Sequence, residues 1–238
     1  MTRTETIGTA TLILGDAREV LPLVRADVVL TDPVWPNCPA NSVPGWDRPW
    51  QLWAEACALL PPVKRLLVVL RCDSDPRFLQ HVPPLPFFRV VSLPYVMPGY
   101  LGRALGGDEY AYWFGTPVAS APNRRVIPGR APAAQPSARA ADGHPMPRAQ
   151  VHFDWLVPWC TDPGESVLDP FMGSGTTLAA AVKAGRRCIG IEVEPRFYEF
   201  ALRRVEAAQR QADLFAREAG PPEDRDSKRC DLFGRATT

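Results

Sequence analysis

Short apolar runs alternating with amphipathic stretches, and two such runs that each end in a polar turn, predict an α/β protein with a doubly wound, mostly parallel seven-stranded sheet. The strand candidates are residues 11–14, 27–30, 65–70, 89–93, 109–114, 166–168 and 187–191. Apolar residues recur at helical spacing over 17–24, 49–60, 176–184 and 195–217, the last long and charged on one face. No internal repeat is present.

Between residues 117 and 147 the text changes to Pro, Ala, Arg and Ser without periodicity, which reads as a long loop or inserted module outside the core. The expected organisation is a single folded unit from 1–117 and 144–220, an insertion at 118–143 and a frayed tail at 221–238. With 238 residues, 46% of them hydrophobic, one sizeable core is within reach.

Formal net charge is +1, so no global basic excess advertises nucleic acid. The insertion and its flank hold Arg124, Arg125, Arg130, Arg139 and Arg148 against the single acid Asp142, a local imbalance suited to a few phosphates. A solvated loop whose arginines bind nothing has the same composition. The six cysteines form no Cys-x-x-Cys pair and no Cys/His cluster at zinc spacing, so no metal site is expected. With no apolar leader and no run near the roughly 20 residues that span a bilayer, a soluble, cytoplasmic protein without a membrane partner is expected.

The strongest local signal is Val167-Leu168-Asp169-Pro170-Phe171-Met172-Gly173-Ser174-Gly175-Thr176-Thr177, a strand end followed by a glycine turn that opens a helix. Such a turn lets backbone approach a ligand and aims unpaired helix N–H groups at it. A Walker loop needs Lys where Thr176 stands, a dinucleotide fingerprint needs glycine at Leu178, and a hydrolase elbow needs glycine at Met172. About 20 residues further on, Cys188-Ile189-Gly190-Ile191-Glu192 ends a second strand in an acid, where a ribose diol is usually gripped. Turn and acid together imply an adenosine-type cofactor, although a tight turn with a helix-capping acid would read the same.

A second strand-to-turn junction, Val28-Val29-Leu30-Thr31-Asp32-Pro33-Val34-Trp35, places a carboxylate, a proline carbonyl and an indole at the carboxyl end of the sheet. As chemistry this is a clamp for a planar base with acceptors for an amine, and a turn around a buried Trp is the plainer alternative.

Paired with the glycine turn, Asp32-Pro33-Val34-Trp35 resembles the Asp-Pro-Pro-Tyr/Trp tetrapeptide of the DNA amino-methyltransferases, whose cofactor turn reads like 169–177 here. The order, tetrapeptide first and cofactor turn last, is similar to the permuted β class of those prokaryotic and phage enzymes. Gly15-Asp16 with Val20-Leu21 resembles the segment around the cofactor adenine, and Glu109-Tyr110-Ala111-Tyr112-Trp113-Phe114-Gly115 the strand that supports the base pocket. His144-Pro145-Met146-Pro147-Arg148 resembles the His-Pro-x-x-Lys-Pro lead-in near the methionine end of the cofactor, with Arg148 for Lys and Ala149 for Pro. Val34 in place of the second proline is the other departure.

The resemblance implies the sheet of an S-adenosylmethionine-dependent methyltransferase and S-adenosylmethionine as cofactor. It assigns catalysis to Asp32, Pro33, Val34 and Trp35, and cofactor contacts to Asp16, Ala17, Asp32, Arg148, Asp169, Pro170, Phe171, Gly173, Ser174, Gly175, Thr176, Glu192 and Val193. A base flipped from duplex DNA would stack on Trp35 while Asp32 and the Pro33 carbonyl accept its N–H bonds. C5-cytosine chemistry, tied in the related enzymes to a Pro-Cys nucleophile, is not implied, since none of the six cysteines follows a proline. Asp at the first position leans toward N6 of adenine over N4 of cytosine; an RNA or protein-glutamine amino-methyltransferase, and a catalytically silent DNA- or nucleotide-binding module of the same fold, stay open as alternatives.

Arg124, Arg125 and Arg130 are the DNA-contact candidates, and so small a recognition segment leads to an expected homodimer on a palindromic site. A cognate restriction enzyme would be a separate protein. Gln211-Ala212-Asp213-Leu214-Phe215 resembles the peptide by which bacterial replication proteins dock on the sliding clamp, and a plain end to the last helix is the weightier account of the same letters.

Overall fold

The first strand, Arg3–Ile7 (β1), turns back at Gly8, where φ is +57°, into Ala10–Leu14 (β2). A left-handed residue suits the tight reversal, and glycine reaches it without a Cβ penalty. The computed structural model describes residues 2–96, 100–101, 104–105, 107–119, 128–135 and 148–219.

After β2 come Ala17–Val20 (α1), Val28–Thr31 (β3), Pro49–Leu59 (α2), Arg65–Arg71 (β4) and Phe87–Leu93 (β5). A two-stranded ribbon, Tyr100–Leu101 (β6) with Ala104–Leu105 (β7), precedes Glu109–Gly115 (β8). Gln150–Cys160 (α3), Ser166–Asp169 (β9), Thr176–Lys183 (α4), Arg187–Glu192 (β10) and Pro195–Ala219 (α5) complete the elements of the described residues.

The main sheet has eight strands in the order β1-β2-β10-β9-β3-β4-β8-β5, with β2 through β4 parallel and β1 and β8 antiparallel to their neighbours. The doubly wound, mostly parallel architecture holds, with one strand more than the seven expected. The extra strand, β1, is Arg-Thr-Glu-Thr-Ile on the sheet edge, and its polar letters hide a partner already satisfied by β2.

Helices α3, α4 and α5 cover one face through Phe153, Leu156, Leu178, Tyr198 and Ala201. The other face carries α1, α2 and the turns around Leu21 and Phe78. There Trp53 and Phe78 are fully buried and stack at 5.7 Å, each side chain contributing roughly 2–3 kcal/mol by area. α1 is shorter than the 17–24 expected, passing into a 3-10 turn at Leu21–Leu23. α3 was not foreseen as a helix because Pro158 stands inside its pattern, yet the helix runs past it to Cys160.

Part of the insertion is pinned to the sheet. Residues 128–135 run beside β5, with Ser92 N bonding Gly129 O at 2.9 Å and Ala131 N bonding Ser92 O at 2.9 Å. Ala131 and Ala134 are buried against the sheet while Arg130, Pro132, Ala133 and Gln135 are exposed, so an irregular stretch contributes two side chains to the interior. Arg130 is exposed there, whereas Arg124, Arg125 and the tail 221–238 lie outside the described residues. Residues 211–215 sit within α5, where Leu214 is exposed. Among the described residues no helix is long and apolar enough to cross a membrane.

Candidate active site

Chain order reverses between β3 and β9, neighbours in the sheet whose successors lead away in opposite directions. Open α/β sheets bind ligands in the crevice at such a switch point, beyond the carboxyl ends of the strands. Both sequence signals converge there. Asp32 follows the last residue of β3 and Asp169 ends β9, and the two strands are tied at this level by Thr31 Oγ1 donating to Asp169 Oδ1 at 2.8 Å.

A cavity of about 350 Å³ opens at this junction. It is lined by Asp16 and Ala17 after β2, Asp32 to Trp35 after β3, Asp169 to Ser174 after β9, and Glu192 and Val193 at the end of β10. Four strand ends thus contribute to one hollow, within the size range of small-molecule sites.

The glycine turn is held to β10 by Met172 N bonding Ile191 O at 3.0 Å, and closes on itself through Gly175 N bonding Met172 O at 2.8 Å. Asp169 is fully committed inside the protein, accepting from Thr31, from Thr177 Oγ1 at 2.6 Å and from Phe171 N at 3.1 Å. Burial pushes its carboxyl up to about 6 despite those donors. Glu192 accepts from Gly173 N at 2.9 Å and from Glu194 N at 2.8 Å, and burial pushes it up to about 7.

At the other end of the cavity, Asp32 Oδ1 accepts from Trp35 Nε1 at 2.8 Å, which fixes the indole against its own tetrapeptide. Arg148 then closes the group. Its Nε donates to Asp32 Oδ2 at 2.5 Å and its Nη2 to Asp32 Oδ1 at 2.9 Å, while Nη1 donates to Glu109 Oε1. The guanidinium carbon stands 3.8 Å over the Trp35 ring, a stacked cation–π contact. Desolvation opposes the charge on Arg148, but the two carboxylates prevail and hold it firmly protonated.

Not every candidate is free to meet a ligand. Arg148, read as a neighbour of the cofactor's methionine end, lines the cavity and is bonded to the Asp32–Trp35 cluster. Asp16 lines the cavity but caps α1 and is gripped by Arg18, whose Nη2 lies 2.5 Å from Oδ2, so that its pKa is lowered chiefly by that contact. Gly175 does not line the cavity. It lies under α5, where an added Cβ would stand 2.9 Å from the Ala201 methyl. Thr176 lines the cavity and accepts from Arg204 Nη1 at 2.5 Å.

The reading from sequence missed the wall made by Cys38, Ser42, Val43, Pro44 and Arg48, and the floor at Phe197. A Pro, Asn, Ser and Gly-rich stretch directly after Trp35 was the available signal for that wall.

Residues 51–203 match the family model described as DNA methylase, of the N6/N4 type. The DNA adenine methyltransferase YhdJ of Escherichia coli K12 is 37% identical over 67 residues, 28% of this chain and 23% of that protein. The type II methyltransferase M2.DpnII of Streptococcus pneumoniae is 39% identical over 67 residues, 28% of this chain and 25% of that protein. The matches therefore span about a quarter of the length of these curated relatives.

Among solved structures, the M1.HpyAVI–SAM complex superposes with a TM-score of 0.62 at 22% identity, over 82% of this chain and 98% of that one. The cytosine-N4-specific PvuII DNA methyltransferase gives 0.61 at 15% identity, over 87% and 93%. At such identities the superpositions speak for the fold. The family match extends from α2 into α5 and takes in the glycine turn, Glu109 and Arg148, and on that ground the chain belongs to the N6/N4 DNA methylase family, the amino-methyltransferases of DNA.

Proposed function

We propose that this chain transfers a methyl group from S-adenosylmethionine to an exocyclic amino group in duplex DNA, N6 of adenine in preference to N4 of cytosine. The observation that carries the reading is the single cavity that joins Asp32-Pro33-Val34-Trp35 to the glycine turn and Glu192 at the switch point.

The residues present fit the cofactor. Glu192 is a buried carboxylate at the end of β10, and a ribose diol offers the donors that such an acceptor lacks from solvent. Phe171 and Val193 give the same end of the cavity apolar walls for a purine. When bound, the sulfonium would supply an electrophilic methyl carbon.

The chain's own contribution is positioning. An amino nitrogen on adenine or cytosine is a poor nucleophile because its lone pair is delocalised into the ring. Asp32 and the Pro33 carbonyl are acceptors that favour a pyramidal nitrogen, and Trp35 offers the flat surface on which a flipped base stacks. Burial pushes Cys57, Cys160 and Cys188 up to about 12, and none of these three lines the cavity, so none of them offers a thiolate there.

Adenine is favoured by the acidic first residue of the tetrapeptide and by the adenine activity named for YhdJ. The deciding experiment incubates purified protein with S-adenosylmethionine and mixed-sequence duplex DNA, digests the product and identifies nucleosides by mass spectrometry. N6-methyladenine is expected, and Asp32→Ala should abolish it. N4-methylcytosine would keep the mechanism and reverse the base. Partners proposed on the same reading are duplex DNA, a second copy of the chain and a sliding clamp at residues 211–215. Sedimentation with DNA and a pull-down on purified clamp test the last two.

A further inference from the structure

Arg148 makes with the tetrapeptide the contacts that a flat amino-bearing base would make. It is planar, it stacks at 3.8 Å on Trp35, and it donates N–H to both Asp32 oxygens. A base stacking on that face of the indole needs the space the guanidinium fills. Arg71 stands 5.5 Å from the same ring, and Trp35 is 4% exposed.

The guanidinium also has somewhere to go. Glu109 begins β8, is 4% exposed, and already takes Arg148 Nη1 on Oε1. Its Oε2 is buried without a hydrogen-bond partner among the described residues, although the Tyr95 hydroxyl couples to the same carboxylate. A second N–H from Arg148 would complete the bidentate fork that guanidinium and carboxylate favour. The charge would then stay paired throughout the move, which matters because an unpaired charge in such a place is severely penalised.

We propose that Arg148 and Glu109 are target-base pocket residues: the guanidinium fills the amino-base slot in the resting protein and shifts onto Glu109 when a base enters. This rests on the reading of Asp32 to Trp35 as an amino-base site. Arg148 is a competitor for the slot and Glu109 the receiver that lets it leave.

The test uses the full chain labelled with nitrogen-15 at arginine, with deoxyadenosine and deoxycytidine as probes. Removing the competitor in Arg148→Ala should tighten nucleoside binding about 10-fold, and removing the receiving charge in Glu109→Gln should weaken it about 5-fold, because apparent affinity follows the fraction of open slots. The Arg148 Nε–H resonance, assigned by its loss in Arg148→Lys, should move as nucleoside is added to the unaltered protein. A strut that merely braces the site predicts changes of the same sign in both variants, and that result overturns the proposal. So does a resonance that stays in place while nucleoside binds, or binding by none of the proteins. If Arg148→Ala fails to fold, Arg148→Lys, which cannot form the planar fork, should still bind about 3-fold tighter. Methyl transfer by the unaltered protein is assayed in parallel, and its absence with the nucleoside results intact counts against the DNA reading alone.

Discussion

Glu192 shows how one buried carboxylate couples the site to pH. Its folded value, about 7, lies above the roughly 4.3 of a free glutamate, so the folded chain holds a proton that the unfolded chain releases. Stability from this group is therefore present below the lower value and is lost as pH rises toward 7, by roughly 4 kcal/mol at most. Cofactor affinity should run the opposite way, because ribose hydroxyls donate to the ionised form. Titration calorimetry with S-adenosylmethionine between pH 6 and 8 is expected to show binding that strengthens through about 7 and then levels, and Glu192→Gln should flatten the profile. Both Glu192 and the tetrapeptide were legible in the sequence because each stands immediately after an apolar strand run. Arg148 was legible only as a residue near the site: its partners Asp32 and Glu109 lie 116 and 39 positions away, and no local pattern encodes which of two ligands such a side chain serves.

Among the elements, the turn from β9 into α4 depends on glycine for two separate reasons. Gly175 has φ +81°, and a Cβ there would meet the Ala201 backbone at 3.0 Å on α5. Gly164 shares the positive φ, at +88°, but has open space around it. Gly175→Ala should therefore cost about 3–5 kcal/mol in urea unfolding, strain plus overpacking, against about 1 kcal/mol for Gly164→Ala. Similar losses for the two would mean that α5 yields to the added methyl. The sequence revealed that a glycine turn opens α4, but not that its second glycine serves helix packing, since Ala201 enters from another element. Strand β1 and helix α3 escaped for related reasons: an edge strand carries polar letters, and α3 tolerates Pro158 because the neighbouring elements hold it.

At the scale of the whole molecule, a net charge of +1 sets a limit on how the duplex DNA proposed above as substrate would be held. Nonspecific attraction must come from a local patch, for which Arg124, Arg125 and Arg130 are the candidates. If those three supply the phosphate contacts, the slope of log K against log salt should be about −3 for duplex DNA, and a slope steeper than about −6 would place the basic surface elsewhere. Fluorescence anisotropy across a salt series measures it. The segment around Arg130 was read as outside the core because its Pro and Ala letters lack periodicity. It is nonetheless sewn along β5 by backbone bonds that owe nothing to side-chain pattern.

That seam gives β5 a neighbour on either side: β8 on one, residues 128–135 on the other. An outer strand covered in this way offers fewer open N–H and C=O groups to the edge of another chain, so the stretch guards this end of the sheet against unwanted strand pairing.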